Sequence, residues 1–125
     1  MNLNAALPMG EKFDLAMSLE VAEHLKPATA PQFVNSLATA SDAVLFSAAY
    51  SNQGGTNHFN EQPQTYWARL FAEDNFAPFD LFRPAFWGND HVCFWYRRPV
   101  EPNNGTGMSG NSRYQLYELY SPRPL

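Results

Sequence analysis

The 125-residue chain has a single cysteine, Cys93. No internal disulfide can form, no thiolate-rich metal site can be assembled, and the composition fits a reducing compartment. Charge is also scarce. Only 16% of residues are charged, and eight Lys plus Arg against twelve Asp plus Glu leave a net charge of -4. Such a chain has no cationic field to draw in phosphate backbones or anionic lipid, so bulk nucleic-acid binding is excluded as a leading function. No run approaches the roughly 18 apolar residues of a membrane span, Met1 is not followed by a basic-then-apolar leader pattern, and there is no internal repeat. The expectation is a soluble cytoplasmic protein without a membrane partner. What the chain does have is apolar mass: 45% hydrophobic and 15% aromatic residues. That content argues against disorder, and a chain of this length can bury roughly two thirds of its unfolded surface in one core.

Residues 1–12, broken by Pro8 and Gly10, read as a connection. FDLAMSL at 13–19 is a nearly continuous apolar run, the pattern of a strand buried on both faces of a mostly parallel sheet. EVAEHL at 20–25 turns helical and is closed by Pro27. PQFVNSLATA, from Pro31, places Phe33, Val34 and Leu37 on one helical face. AVLFSAA at 43–49 is a second buried strand. Strand, helix and strand in so short a span imply parallel neighbours joined by a crossover. A polar loop of about a dozen residues follows, with Gly54 and Gly55 available for a sharp turn. Pro63 opens a helix with Tyr66, Trp67, Leu70 and Phe71 on its apolar face, ending at Asn75. The aromatic segments 79–86 and 91–98, separated by Trp87, Gly88, Asn89 and Asp90, pair most simply as an antiparallel hairpin. Residues 99–112 have linker composition. Residues 113–120 regain apolar content and fit either a docking helix or an edge strand.

Taken in order, FDLAMSLEVAEHL, VLFSAAYSNQGGTNHFNEQPQTYWARLF and FRPAFWGNDHVCFWYRR resemble the C-terminal half of class I S-adenosylmethionine-dependent methyltransferases, in the subset with an EVAEH segment and an HxNEQ-type loop. The resemblance covers roughly residues 12–98. It implies a Rossmann-like α/β fold with sheet order 3-2-1-4-5-7-6 and strand 7 antiparallel. This chain would supply strands 4 to 7, an incomplete fold of two parallel strands plus an antiparallel hairpin with flanking helices. The domain organisation is then a partial methyltransferase domain at 1–98, a flexible linker at 99–112 and a C-terminal segment at 113–125.

The resemblance also implies S-adenosylmethionine as cofactor and an unidentified, small-molecule or other, methyl acceptor. The family holds its cofactor with a glycine-rich turn after strand 1 and an acidic residue ending strand 2. Gly54 and Gly55 follow the wrong strand, and Gly105, Gly107 and Gly110 follow none. The expectation is a truncated or fragmentary methyltransferase-like chain without autonomous cofactor binding. The alternatives are a non-catalytic binding or partner module, or one piece of a split enzyme.

By the same resemblance Ser18, Leu19 and Glu20 end strand 4 at the carboxyl edge of the sheet, where open α/β folds bind ligands. They are the expected cofactor contacts, weighed against a structural strand-to-helix turn. Glu20, Glu23 and His24 form ExxEH on one helical face. Glu20, Glu23 and His58 are candidate bases for an acceptor that loses a proton. With His58 from the next loop, Glu20, Glu23 and His24 would also make a divalent-metal shell. A capping Glu20 and a hydrogen-bonded His24 account for the same residues, and no metal is the reading adopted. His58, Asn60 and Glu61, with Gln62, shape an acceptor pocket or brace their own loop.

Tyr66, Trp67, Trp87, Trp95 and Tyr96 are read as core and not as a cationic-ligand cage. Arg97 and Arg98 are a solvated strand end, and Cys93 a buried small hydrophobe. The strand at 13–19 would lack its usual neighbour, with only Lys12 and Asp14 charged nearby. A homodimer or a partner chain covering it is therefore expected.

Overall fold

Two short apolar segments pair in parallel and seed the sheet. β1 (Ala16–Leu19) lies beside β2 (Val44–Ser47) in register Ala16↔Val44 to Leu19↔Ser47, and an isolated bridge Phe13↔Ser41 prolongs the pairing backwards. The computed structural model describes residues 2–3, 10–49, 51–79, 82–86, 89–92 and 118–122. Parallel neighbours need a crossover, which is α1 (Ala30–Ala40). It buries Phe33, Val34 and Leu37, as their spacing dictates, and is led in by single 3-10 turns at Ala22–His24 and Pro27–Thr29.

α2 (Gln64–Glu73) follows Pro63 and turns Trp67, Leu70 and Phe71 inward. It ends at Asp74 and at Asn75, whose φ of 64° is the left-handed conformation that commonly closes helices. β3 (Phe76–Phe79), the short helix α3 (Phe82–Phe86) and β4 (Glu118–Pro122) complete the described elements. The sheet order is β1-β2-β4-β3, with β4 antiparallel to both β2 and β3. The order thus combines a parallel pair with an antiparallel strand placed between β2 and β3.

The residues forming the antiparallel pair differ from the sequence expectation. Residues 82–86 are helical, not a strand, and 91–92 lie in a turn and a bend; among the described residues the antiparallel partner of β3 is β4. A proline in the first helical turn removes only an N–H that the helix would leave unused. Phe82 and Phe86, one turn apart, pack at 5.9 Å between ring centroids. Both features favour a helix over a strand in FRPAF. Within the C-terminal segment, residues 118–122 form an interior strand, and β3, which contains Pro78, takes the edge position that a residue without an N–H requires. Residues 93–98 and the expected linker at 99–112 lie outside the described residues.

The core is an aromatic cluster between α2 and the middle of the sheet. Phe46 of β2 meets Trp67 at 5.2 Å, Phe71 at 5.3 Å and Tyr120 at 6.2 Å between ring centroids. Tyr120 stacks on Phe71 at 3.8 Å with planes 15° apart. On β1 the expectation of burial on both faces gives way to a one-sided strand. Ser18 is buried, whereas Phe13, Leu15 and Met17 are 61%, 45% and 56% exposed.

Tyr120 is 1% exposed and joins β4 to both α2 and β2. Tyr120→Ala is expected to cost about 3–5 kcal/mol, the usual loss when a large core aromatic is truncated, measured by urea denaturation. A loss under about 1 kcal/mol, the range of ordinary surface changes, would mean that residues 118–122 are not part of the sheet.

Candidate functional site

Parallel pairing sends the carboxyl ends of β1 and β2 to one edge, and the polar residues gather there. Ser18 is buried near the end of β1 and its Oγ has no hydrogen-bond partner among the described residues; Leu19 is half-buried. Glu20 adopts φ 56°, a conformation that costs a side-chain-bearing residue about 1 kcal/mol. Ser47, at the end of β2, compensates. The Glu20 amide donates to the Ser47 carbonyl and to its Oγ, both at 3.2 Å, and the Ser47 hydroxyl donates to Glu20 Oε1 at 2.6 Å. The chain therefore swivels at Glu20 before the 3-10 turn begins. Glu20, Glu23 and His24 do not share a helical face, because Glu20 stands outside the turn and its carboxylate goes to Ser47.

Glu23 is 1% exposed. Its carbonyl accepts the amides of Phe59 at 2.9 Å and Asn60 at 3.0 Å, which ties the loop after β2 onto the turn after β1. Desolvation pushes its carboxyl pKa above the ordinary glutamate value. The main-chain amide of Glu23 opposes this, neighbouring Glu20 adds to it, and the amide of Ala49 and the His24 ring oppose it more weakly. Oε2 of Glu23 has no hydrogen-bond partner among the described residues.

Two imidazoles face this carboxylate. His24 Nδ1 lies 3.1 Å from the Asn57 carbonyl, which can only accept, so Nδ1 carries the proton and the lone pair is on Nε2. Asn57 offers that carbonyl from φ 61°. His58 Nδ1 lies 2.8 Å from Glu61 Oε1, and by the same logic the neutral ring has its lone pair on Nε2. The rings meet edge to face at 4.8 Å. Gly55 packs against His58 so closely that an added Cβ would overlap Cε1, Nε2 and Nδ1 of the ring. One ligand atom from each of Glu23, His24 and His58 falls within 4.8 Å of the other two. Such a triad can bind a cation or exchange a proton with a group placed beside it.

Asn60 is buried, accepts from Gln62 Nε2 at 2.9 Å and leaves its own Nδ2 without a partner. The structure thus gathers Glu23, His24, His58, Asn60 and Glu61, and sets Ser18, Leu19 and Glu20 at the end of the adjoining strand. Ser47, Asn57 and Gly55 escape sequence reasoning. Ser47 acts through its hydroxyl and its carbonyl, Asn57 through its carbonyl and Gly55 by lacking a side chain, and the only sequence signal is that Asn and Gly suit turns. Trp67 is core, with Tyr66 packed against it. Trp87, Cys93, Trp95, Tyr96, Arg97 and Arg98 lie outside the described residues.

No family model matches the sequence, and no curated protein does. Among solved structures the chain is similar to magnesium protoporphyrin IX methyltransferase from Synechocystis PCC 6803 with bound SAH. The TM-score is 0.59 at 15% identity, over 98% of this chain and 49% of that one. It is also similar to a pericyclic reaction enzyme and to LepI in complex with SAM. Each has a TM-score of 0.58 at 11% identity, over 98% of this chain and 29% of that one. At such identities the likeness is one of fold: the mixed α/β architecture is shared, and the chain spans half or less of the length of these proteins. No helix among the described residues is long and apolar enough to cross a membrane.

A carboxyl whose folded pKa is raised binds its proton more tightly in the native than in the unfolded state. Its contribution to stability is present below the unfolded pKa and is lost as pH rises through the folded one. Wild type is therefore expected to lose stability relative to Glu23→Gln between about pH 4 and about pH 7, read from urea midpoints with a chelator present. A gap that stays constant, or that widens in favour of wild type, would refute the assignment of a desolvated Glu23.

Proposed function

We propose that the chain serves S-adenosylmethionine-dependent methyl transfer as the acceptor-side part of a methyltransferase-like domain, with the glycine-rich cofactor turn supplied from outside these 125 residues. The observation that carries this is the likeness of the mixed α/β fold, over 98% of the chain, to a magnesium protoporphyrin IX methyltransferase structure, with a buried polar cluster at the carboxyl edge of the sheet. When bound, the cofactor offers a sulfonium methyl group that an acceptor lone pair displaces in line, which demands positioning above all.

This chain's own residues suit the acceptor side. Ser18, Leu19 and Glu20 would contact the methyl donor; the unpartnered Ser18 Oγ is a polar group in want of a ligand. His58, Asn60 and Glu61 would hold the acceptor, Asn60 with an unpartnered Nδ2. An acceptor proton would pass to a base among Glu20, Glu23 and His58. Of these His58 fits best, because Glu61 fixes its tautomer and would stabilise the imidazolium formed.

Calorimetry with the isolated chain is expected to detect no binding of S-adenosylmethionine in the micromolar range. Amide chemical shifts at millimolar S-adenosylhomocysteine are expected to move at Ser18, Leu19 and Glu20. Micromolar or tighter binding would overturn the shared-site reading, and shifts confined elsewhere would overturn the cofactor edge.

We also propose that the isolated chain closes its β1 edge with a second copy. The exposed Phe13, Leu15 and Met17 beside an open strand support this, as does Lys12, which is engaged with Asp42 at 2.6 Å. Light scattering at micromolar concentration is expected to give a dimer for wild type and a folded monomer for Met17→Lys. A monomeric wild type would refute the pairing.

A further inference from the structure

Glu23, His24 and His58 share features that a loop-bracing role leaves unexplained. Each imidazole spends its Nδ1 proton on a fixed acceptor, Asn57 for His24 and Glu61 for His58. In the neutral form both rings then offer an Nε2 lone pair, the arrangement in which second-shell partners orient metal-bound histidines. The third member is a carboxylate on a residue 1% exposed, with Oε2 lacking a hydrogen-bond partner among the described residues. Buried carboxylates are otherwise found paired or coordinating a metal. Gly55 leaves room for the His58 ring where any side chain would overlap it.

We propose that Glu23, His24 and His58 form a binding site for one first-row transition-metal dication of the zinc or cobalt type, with at least one coordination position left open. The chemistry of the donors selects the metal. Two imidazole nitrogens and one carboxylate suit Zn²⁺, Co²⁺, Mn²⁺ or Fe²⁺, whereas Mg²⁺ and Ca²⁺ prefer all-oxygen shells. The spacing is close to what is needed. Bonds of about 2.0–2.2 Å put tetrahedral donors roughly 3.4 Å apart, and one donor atom from each of the three residues lies within 4.8 Å of the other two. His24 is exposed and can close the remaining gap by a small ring movement. Glu20 takes no part, since Ser47 holds its carboxylate. The site shares Glu23 and His58 with the methyl-transfer reading. With a metal bound, the His58 Nε2 lone pair serves as a ligand and not as a base, while metal uptake is read without turnover, so the two readings fail separately.

The test uses the full chain stripped of metal, titrated with Zn²⁺ by calorimetry and with Co²⁺ by visible absorption. Wild type is expected to take up one equivalent, which excess Mg²⁺ does not displace, and to give Co²⁺ ligand-field bands. His58→Ala and His24→Ala should abolish the bands, and His91→Ala, which alters the remaining histidine of the chain, should retain them. Glu61→Gln should weaken binding about 10-fold, as loss of a second-shell carboxylate does. His24 is exposed, so His24→Ala keeps the test informative if His58→Ala unfolds; circular dichroism reports which has occurred. No saturable uptake by wild type, displacement by Mg²⁺, or bands lost equally in His91→Ala would each overturn the proposal.

Discussion

Parallel pairing of Ala16–Leu19 with Val44–Ser47 is the constraint from which the rest follows. Antiparallel strands would have sent their carboxyl ends to opposite edges. Here Glu20 and Ser47 emerge side by side and lock together through three hydrogen bonds. The two following segments then have nowhere to run but across each other. The Glu23 carbonyl, reached by the amides of Phe59 and Asn60, fixes that crossing. A loop that would otherwise be free of the sheet is held by main-chain contacts, so its side chains are positioned by a rigid scaffold.

The arrangement is costly, and the cost is concentrated. Ser18 Oγ, Glu23 Oε2, Asn60 Nδ2 and Trp67 Nε1 are buried without partners among the described residues, against the general rule that buried polar groups are bonded. Three of the four lie at the end of β1, in the turn after it, or in the loop tied to that turn. Glu20 adds a left-handed conformation at the same place. Strain and unsatisfied polarity gathered at one edge, with an aromatic cluster filling the interior behind it, is the distribution expected when stability has been exchanged for binding.

What the sequence reveals follows the range of the interactions. β1, α1, β2 and α2 are legible because their signals are local: apolar runs bounded by turns, and Phe33, Val34 and Leu37 or Trp67, Leu70 and Phe71 at helical spacing. Strand β4 is not, since its partners lie more than seventy residues back in β2 and about forty back in β3, and no local pattern encodes a pairing across that separation. The hairpin expectation fails for the same reason, a nearby partner being preferred to a distant one. At the site, the identities of Glu23, His24, His58, Asn60 and Glu61 are legible, but their grouping is not. ExxEH reads as one helical face only if Glu20 is helical, and its φ of 56° is imposed by Ser47, 27 residues away.

The two edges of the sheet are unlike, and the difference bears on how the site would be completed. β3 ends the sheet with Pro78 in mid-strand, a residue that offers no N–H to a newcomer. β1 has no proline, carries exposed Leu15 and Met17, and has its nearest lysine drawn off to Asp42. A strand added beside β1 in parallel would bring its own carboxyl end next to Ser18 and Glu20, whereas a strand added beside β3 would lie beyond β4, far along the sheet from both. The edge best able to accept another strand is thus also the one from which new residues reach the unpartnered Ser18 hydroxyl. Association and site completion would then be one event.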